Sequence, residues 1–246
     1  MCSDLEKWIE IYGPIIHQLP LNKLCLVETH DSGTFRMKSP IVAPWATTQH
    51  ATIEEQLQGG VRVLDLRLGC DGPQTYLLVH GMWRTVTSLN DALCSVCGFV
   101  DRNTKEVVIL DFHRFVELEG SFDWIQLQET ILRTIGKRIY RYCRSLPTLE
   151  QIWKTAGRII VAWNSKLGLH PHFFPGIEQG WYPSVITIAR LAKISKMHPI
   201  KLACGQWEPS LQQPPFGKSH RFHSYSRGFF QDKNGQKELI SFKRTV

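Results

Sequence analysis

Short runs of apolar, often β-branched residues recur along this chain, separated by stretches carrying helix punctuation, and that alternation constrains the fold more than any other feature. The runs are Leu24–Val27, Val61–Leu66, Tyr76–Val79, Val107–Leu110 and Ile159–Ala162, with a weaker one at Ile200–Ala203. Strands buried on both faces of a parallel sheet read as unbroken apolar runs, and Val107–Leu110 and Ile159–Ala162 do so. Between the runs, Thr52-Ile53-Glu54-Glu55 has the spacing of a capping box, and Gly59-Gly60 closes the helix it opens. Ser88-Leu89-Asn90-Asp91 opens a second helix, with Gly98 near its end. Ile125, Leu132, Ile135 and Ile139 recur at helical spacing, and Thr148-Leu149-Glu150-Gln151 starts another helix before Gly157. This is the pattern of stacked β–α units around a parallel sheet, and it fits both a closed (β/α) barrel and an open doubly wound sheet.

No repeat or low-complexity linker interrupts the 246 residues, which favours one domain. No apolar run reaches the roughly 18 residues of a membrane-spanning helix. The segment Met1–Trp8 lacks the basic start and apolar stretch of a signal peptide. Seven scattered cysteines, an odd number, fit free thiols in a reducing compartment, so the expected location is the cytoplasm. Cys94 and Cys97 form a CxxC with no second ligand pair to complete a zinc site, and read as two small apolar side chains on a helix. A net charge of +7 asks for an anionic partner: a phosphate substrate, a membrane surface or a nucleic acid. No nucleic-acid recognition motif accompanies it. From Glu208 to Val246, seven Lys/Arg stand against three Asp/Glu, so the surplus is concentrated in the tail.

Polar residues gather at the strand ends. His30 and Asp31 follow the first run, Arg67 ends the second, His80 ends the third, and Asp111 and His113 end the fourth. In parallel α/β folds active sites collect at the carboxyl ends of strands, and four such positions in succession are hard to explain as packing. Histidine titrates near neutrality, so a pair can serve as general base and general acid. An arginine between them offers a permanently charged fork for phosphate oxygens. The set points to phosphoryl transfer without covalent attachment to the protein. Asp65, two residues before Arg67 on the same strand face, is placed to orient it. Met82 and Trp83 directly follow His80-Gly81 and put an apolar pair beside the proposed acid, suited to a membrane–water boundary.

The segments LVETHDSGTF, TTQHATIEEQLQGGVRVLDLRLG and LLVHG, in that order, resemble the X region of phosphatidylinositol-specific phospholipases C. The resemblance is nearest to the small bacterial enzymes and the eukaryotic X-domain-containing proteins. It is dense from Lys23 to Phe115 and continues more loosely through LPTLEQIWKTAGRIIVAW. It implies a TIM-like barrel and a set of roles. His30 would take the proton from the inositol 2-hydroxyl, Arg67 would bind the phosphate, and His80 would protonate the departing diacylglycerol oxygen, with Asp31 holding His80 in its charged form. His113 falls where relatives place a polar group lining the substrate. The partner it implies is an inositol phospholipid at an anionic membrane surface, reached by peripheral association, with no nucleic acid. The calcium-dependent signalling enzymes carry a second carboxylate two residues after the first. Here the sequence is Asp65-Leu66-Arg67, so a cation replaces that ligand, and Asp31 with Asp65 alone are few oxygens for Ca²⁺. No metal is expected.

The C-terminal part departs from this pattern. A complete barrel needs two more β–α units after the sixth strand, yet the residues beyond Gly205 are rich in proline and lysine with few apolar runs. The expected organisation is a catalytic barrel over 1–206, incomplete at its C-terminal end, and a basic tail over 207–246. Relatives take an aspartate from their last strands to orient the general-base histidine, which makes Asp232 in GFFQD the candidate. Without such a carboxylate the chain would instead be a weak or inactive phosphoinositide-binding protein. A glycerophosphodiester phosphodiesterase ranks lower, because that family places metal-binding carboxylates where Arg67 stands.

Overall fold

Parallel pairing sets the frame of the computed structural model, which describes residues 3–177, 223–231 and 237–245. The first two helices, α1 (Ser3–Glu6) and α2 (Trp8–Ile16), lead through a 3-10 turn (Leu21–Lys23) into β1 (Glu28–Thr29). Then come α3 (Ala43–Ala46), α4 (Ile53–Gln58), β2 (Val63–Cys70), β3 (Tyr76–His80), β4 (Trp83–Ser88) and α5 (Leu89–Arg102). These are followed by β5 (Val108–Glu117), α6 (Trp124–Ile135), a second 3-10 turn (Gly136–Arg138), α7 (Leu149–Trp153), β6 (Ile159–Trp163) and β7 (Phe174–Pro175). Within the basic tail, β8 (His223–Gln231) and β9 (Lys237–Thr245) pair as an antiparallel hairpin. The run Ile200–Ala203 and Asp232 lie outside the described residues.

β1, β2, β5, β6 and β7 pair in parallel in that order. Side chains alternate along β2. Leu64, Leu66 and Leu68 join the apolar core with Ile53 and Leu57 of α4, Val96 and Val100 of α5, and Leu127 and Ile131 of α6. Asp65 and Arg67 are also buried but stand outside that core, on the other face of the strand. The capping box read from sequence at Thr52/Glu55 is formed, and the helix starts expected at Ser88 and Thr148 are capping boxes too, with Asp91 and Gln151.

Several expectations are corrected. Arg67 does not end the second strand, nor do Asp111 and His113 end the fourth, because the ladder between them carries β2 on to Cys70 and β5 on to Glu117. The first strand is not Leu24–Val27: Leu24 and Leu26 are buried, but the ladder with Val63 and Leu64 reaches only Glu28 and Thr29. The Tyr76–Val79 run is not a parallel strand of the frame. It belongs to β3, which pairs antiparallel with the end of β2 and with β4. Only Asp71–Thr75 separates β2 from β3. A parallel return needs a crossover of a dozen or more residues, so so short a connection permits only a hairpin. On α6 the buried stripe is Leu127, Ile131 and Ile135, whereas Ile125 is exposed and Ile139 lies beyond the helix.

The N-terminal ends of the strands are closed by a fully buried ion pair. Arg62, just before β2, places Nε and Nη2 each 2.7 Å from Glu106 Oε2. Arg62 also donates to the carbonyls of Leu57, Val61 and Glu6, and its guanidinium lies 4.9 Å from the centre of the Phe99 ring. Glu106 accepts from the backbone N–H of Glu10 at 2.9 Å and of Ile9 at 3.4 Å, capping α2 from a distant segment. The pair thus ties the N-terminal helices to the end of the sheet opposite the polar cluster.

Candidate active site

The loop after β1 carries His30 and Asp31 and is held on every side. Ser32 N–H donates to the Asp65 carbonyl at 2.9 Å, and Gln49 Nε2 donates to the His30 carbonyl at 2.6 Å. Gln56 Nε2 donates to the Ser32 carbonyl, while its Oε1 accepts from Thr29 Oγ1. Asp31 adopts a left-handed backbone (φ 47°), which aspartate tolerates better than most residues. Gly33 packs so closely on Leu78 of β3 that a side chain there would overlap it.

β2 supplies Asp65 and Arg67. The antiparallel hairpin then folds back to bring His80 to the same place, so His80 joins the cluster from a strand running the opposite way to β2. His80 Nδ1 donates to the Ala46 carbonyl on α3 at 2.9 Å, leaving Nε2 to face Asp31 Oδ2 at 3.5 Å. His30 Nδ1 is 3.0 Å from Asp65 Oδ2, and its Nε2 is 3.4 Å from the same Asp31 oxygen. The two Nε2 atoms therefore stand about one carboxylate oxygen, on the scale of a phosphate group with its ester oxygens. Arg67 completes the set: Nε lies 2.5 Å from Asp31 Oδ1, and Nη2 lies 3.3 Å from both Asp65 Oδ2 and His30 Nδ1.

The carboxylates divide by environment. Burial pushes the Asp65 carboxyl up, but the hydrogen bond with His30 and the charges of Arg67, His30 and His113 override it and hold it well below the usual range. For Asp31, burial outweighs the lowering by His30, Arg67 and His80, and the nearby Asp65 charge adds to the rise. Asp65 is the firmly ionised member. Neither Asp31 oxygen receives an aligned hydrogen bond from a described group, so its contacts are ion pairs.

His113 sits where the β2–β5 register skips a residue, between the pairs Leu66–Phe112 and Arg67–Arg114. Bulges of this kind re-aim a side chain beside a site. Its Nδ1 is 3.2 Å from Asn164 Nδ2 and 3.5 Å from Asp111 Oδ2. Sequence reasoning missed Asn164, although it directly follows β6 and the strand-end rule would have found it. It also missed Gln49, Gln56 and the Ala46 carbonyl, for which no local signal exists. Asp65, expected to orient Arg67, does contact it, but its shorter contact is with His30.

His30, Asp31 and Asp65 present ligand atoms within 4.8 Å of one another, a geometry that could hold a cation. The Arg67 guanidinium, paired with both carboxylates, already stands among them. A divalent ion there would meet a fixed positive charge and only two carboxylates.

Residues 28–164 match the family profile of the phosphatidylinositol-specific phospholipase C X domain. The chain belongs to that family. This X-domain chain is 26% identical over 229 residues to PI-PLC X domain-containing protein 1 of Homo sapiens, covering 82% of this chain and 69% of that protein. It is 25% identical over 197 residues to the human X domain-containing protein 2, covering 69% and 63% of the two chains. Among solved structures it resembles the phosphatidylinositol-specific phospholipase C of Staphylococcus aureus (TM-score 0.59, 20% identity, 73% of this chain and 61% of that one). The Listeria monocytogenes enzyme is similar (TM-score 0.53, 21% identity, 65% and 57%). The X-domain chain thus spans less than two thirds of the length of both solved enzymes and of the second human relative. The likeness assigns β1, β2, β5, β6 and β7 to a TIM-like (β/α) barrel.

Proposed function

We propose that this chain cleaves the phosphodiester of a phosphatidylinositol-type lipid, releasing diacylglycerol and a cyclic inositol phosphate, by general acid–base catalysis with two histidines. The observation that carries the reading is the placement of His30 Nε2 and His80 Nε2 about one Asp31 oxygen, with Arg67 between the same carboxylates. Each ring is anchored through Nδ1, so each presents Nε2 for proton transfer. His30 Nε2 accepts the proton of the inositol 2-hydroxyl as its oxygen attacks phosphorus. Arg67 neutralises charge building on the phosphate oxygens. His80 Nε2 gives its proton to the diacylglycerol oxygen as the P–O bond breaks, with Asp31 stabilising that imidazolium. Water entering by the reverse proton path then opens the cyclic phosphate. His113, with Asn164, lines the substrate side of the site, and Asp232 remains a candidate outside the described residues.

The reaction is metal-independent in this reading, because Arg67 supplies the positive charge a divalent ion would bring. Access is interfacial. Trp45 is 77% exposed and Trp83 52% exposed, with Ile41, Met82 and Val86 also presented to solvent. A cavity of about 430 Å³ lined by Val42, Trp45, Ala46, His80, Gly81, Met82 and Trp83 joins this apolar rim to the acid. One of the solved relatives is described for modulation of its membrane binding. No helix among the described residues is long and apolar enough to cross a membrane, which supports peripheral association. Among the described residues Cys70, Cys94, Cys97 and Cys143 form no disulfide, which supports a cytoplasmic setting.

The test is release of water-soluble inositol phosphate from phosphatidylinositol vesicles, with EDTA or with Ca²⁺, for the wild type and His30→Ala. Chelator-resistant release that is lost in the variant supports the reading. A folded wild-type protein that binds the vesicles without turnover replaces it with a lipid-binding role.

A further inference from the structure

We propose that the cavity between α3 and the β3–β4 turn is a leaving-group subsite. It takes the glycerol and the first acyl carbons of the lipid, and so restricts the reaction to diesters with an apolar leaving group. The inference rests on the reaction proposed above, in which His80 is the acid. The two walls come from different parts of the chain. β3 and β4 are joined by two residues, Gly81 and Met82, with His80 paired to Trp83. Gly81 has φ 59°, a backbone that a two-residue hairpin needs at its first position and that glycine adopts without strain. The facing wall is α3, and the hydrogen bond from His80 Nδ1 to the Ala46 carbonyl ties the two together at 2.9 Å.

The space enclosed is about 430 Å³, within the range of small-molecule sites. Among the described residues that line it, His80 alone is ionisable, and Val42, Trp45, Met82 and Trp83 present apolar surface. His80 is shared between the two spaces: Nε2 faces Asp31 Oδ2 in the catalytic cluster, and the ring borders the cavity. An acid must lie within hydrogen-bond reach of the oxygen it protonates, so the group that departs from phosphorus leaves beside His80. The lining offers no carboxylate or fixed cation to a charged or heavily hydroxylated leaving group, whose hydroxyls would lose water without a side-chain partner. Apolar carbons gain by entering. At the outer lip, the exposed Trp45, Met82 and Trp83 continue into the apolar rim. An acyl chain can therefore run from the cavity toward the bilayer along apolar surface.

The experiment uses the full chain and compares two diesters of the same inositol phosphate, one with dihexanoylglycerol and one with glycerol as leaving group. The lipid is held below the concentration at which it forms micelles, so no surface is present and membrane docking plays no part. Wild type is expected to turn over the dihexanoyl diester with kcat/KM about 100-fold higher, as the burial of a few methylene groups would give. Val42→Thr keeps the shape of the wall but adds a hydroxyl, and Met82→Ala removes apolar surface from the turn. Each is expected to lower that ratio about fivefold. A wild-type ratio near one, or a ratio that both variants leave unchanged, overturns the subsite and leaves the reaction standing. Binding gives a second readout with ¹³C-methyl methionine. The Met82 methyl signal, assigned by its loss in Met82→Leu, is expected to shift with the dihexanoyl diester and not with the glycerol one. An equal shift with both, or none with either, overturns the proposal. A wild type that turns over neither diester overturns the reaction, and the Met82 shift still decides whether the cavity takes the chain.

Discussion

His30 and His80 are anchored by the same ring atom and face the same oxygen. Nδ1 is held by Asp65 in one and by the Ala46 carbonyl in the other, and both Nε2 atoms stand within 3.5 Å of Asp31 Oδ2. The difference between the anchors matters. A carboxylate favours the imidazolium that forms on a base, whereas a neutral carbonyl fixes orientation with a weaker pull on the proton, as suits an acid that must release it.

Arg67 bridges the two buried carboxylates, so its loss leaves them facing each other without a counter-charge. Arg67→Ala is expected to lower kcat about 100- to 1,000-fold, the range typical for removing one group that stabilises transition-state charge. Arg67→Lys recovers little, because a single ammonium cannot reach both carboxylates as a fork does. Steady-state kinetics on phosphatidylinositol vesicles with chelator present measures both.

Acid should remove the stabilisation that Asp65 provides. Its folded-state carboxyl titrates below the ordinary range, so its contribution is complete above an unfolded value of about 3.9 and is lost as pH falls toward the folded value. The groups facing it are His30, Arg67, His113 and Asp31. Urea unfolding of wild type and Asp65→Asn should show the widest gap near pH 7 and a narrowing gap below about pH 4. A gap that grows on acidification would contradict the assignment.

Gly33 lies against the β3 hairpin, and a Cβ there would approach Leu78 Cβ to 2.8 Å and overlap the rest of that side chain. Gly33→Ala is therefore expected to cost about 1–3 kcal/mol in stability. It should also lower kcat, because the displaced strand carries His80 and the displaced loop carries His30. Chemical denaturation and the vesicle assay report the two effects.

At the opposite end, Glu106→Gln leaves Arg62 buried beside a neutral group. The expected loss is about 3–5 kcal/mol of unfolding free energy, with kcat per folded molecule unchanged. Denaturant titration checks the first and single-concentration turnover the second.

Trp45→Ala and Trp83→Ala remove exposed rings from the rim beside His80. Each is expected to weaken vesicle binding about tenfold, or ~1.4 kcal/mol, while sparing turnover of a soluble inositol phosphodiester. Vesicle sedimentation separates this from a packing role, in which stability would fall instead.

The sequence by itself determined that apolar strands alternate with three capped helices and which residues make up the polar cluster, because periodicity, caps and polar residues beside apolar runs are local. His30, Asp31, Arg67 and His80 were legible for that reason, and the structure brings them together with His113 beside them. Only the tertiary structure decided that β3 runs antiparallel, that His113 occupies a register skip, and that Asp65 lies against His30. It also decided that Ala46 on α3, far from His80 in sequence, holds that ring. These depend on which strand lies beside which and at what register. Hydrogen-bond pairing between distant segments sets that register, and no single segment encodes it.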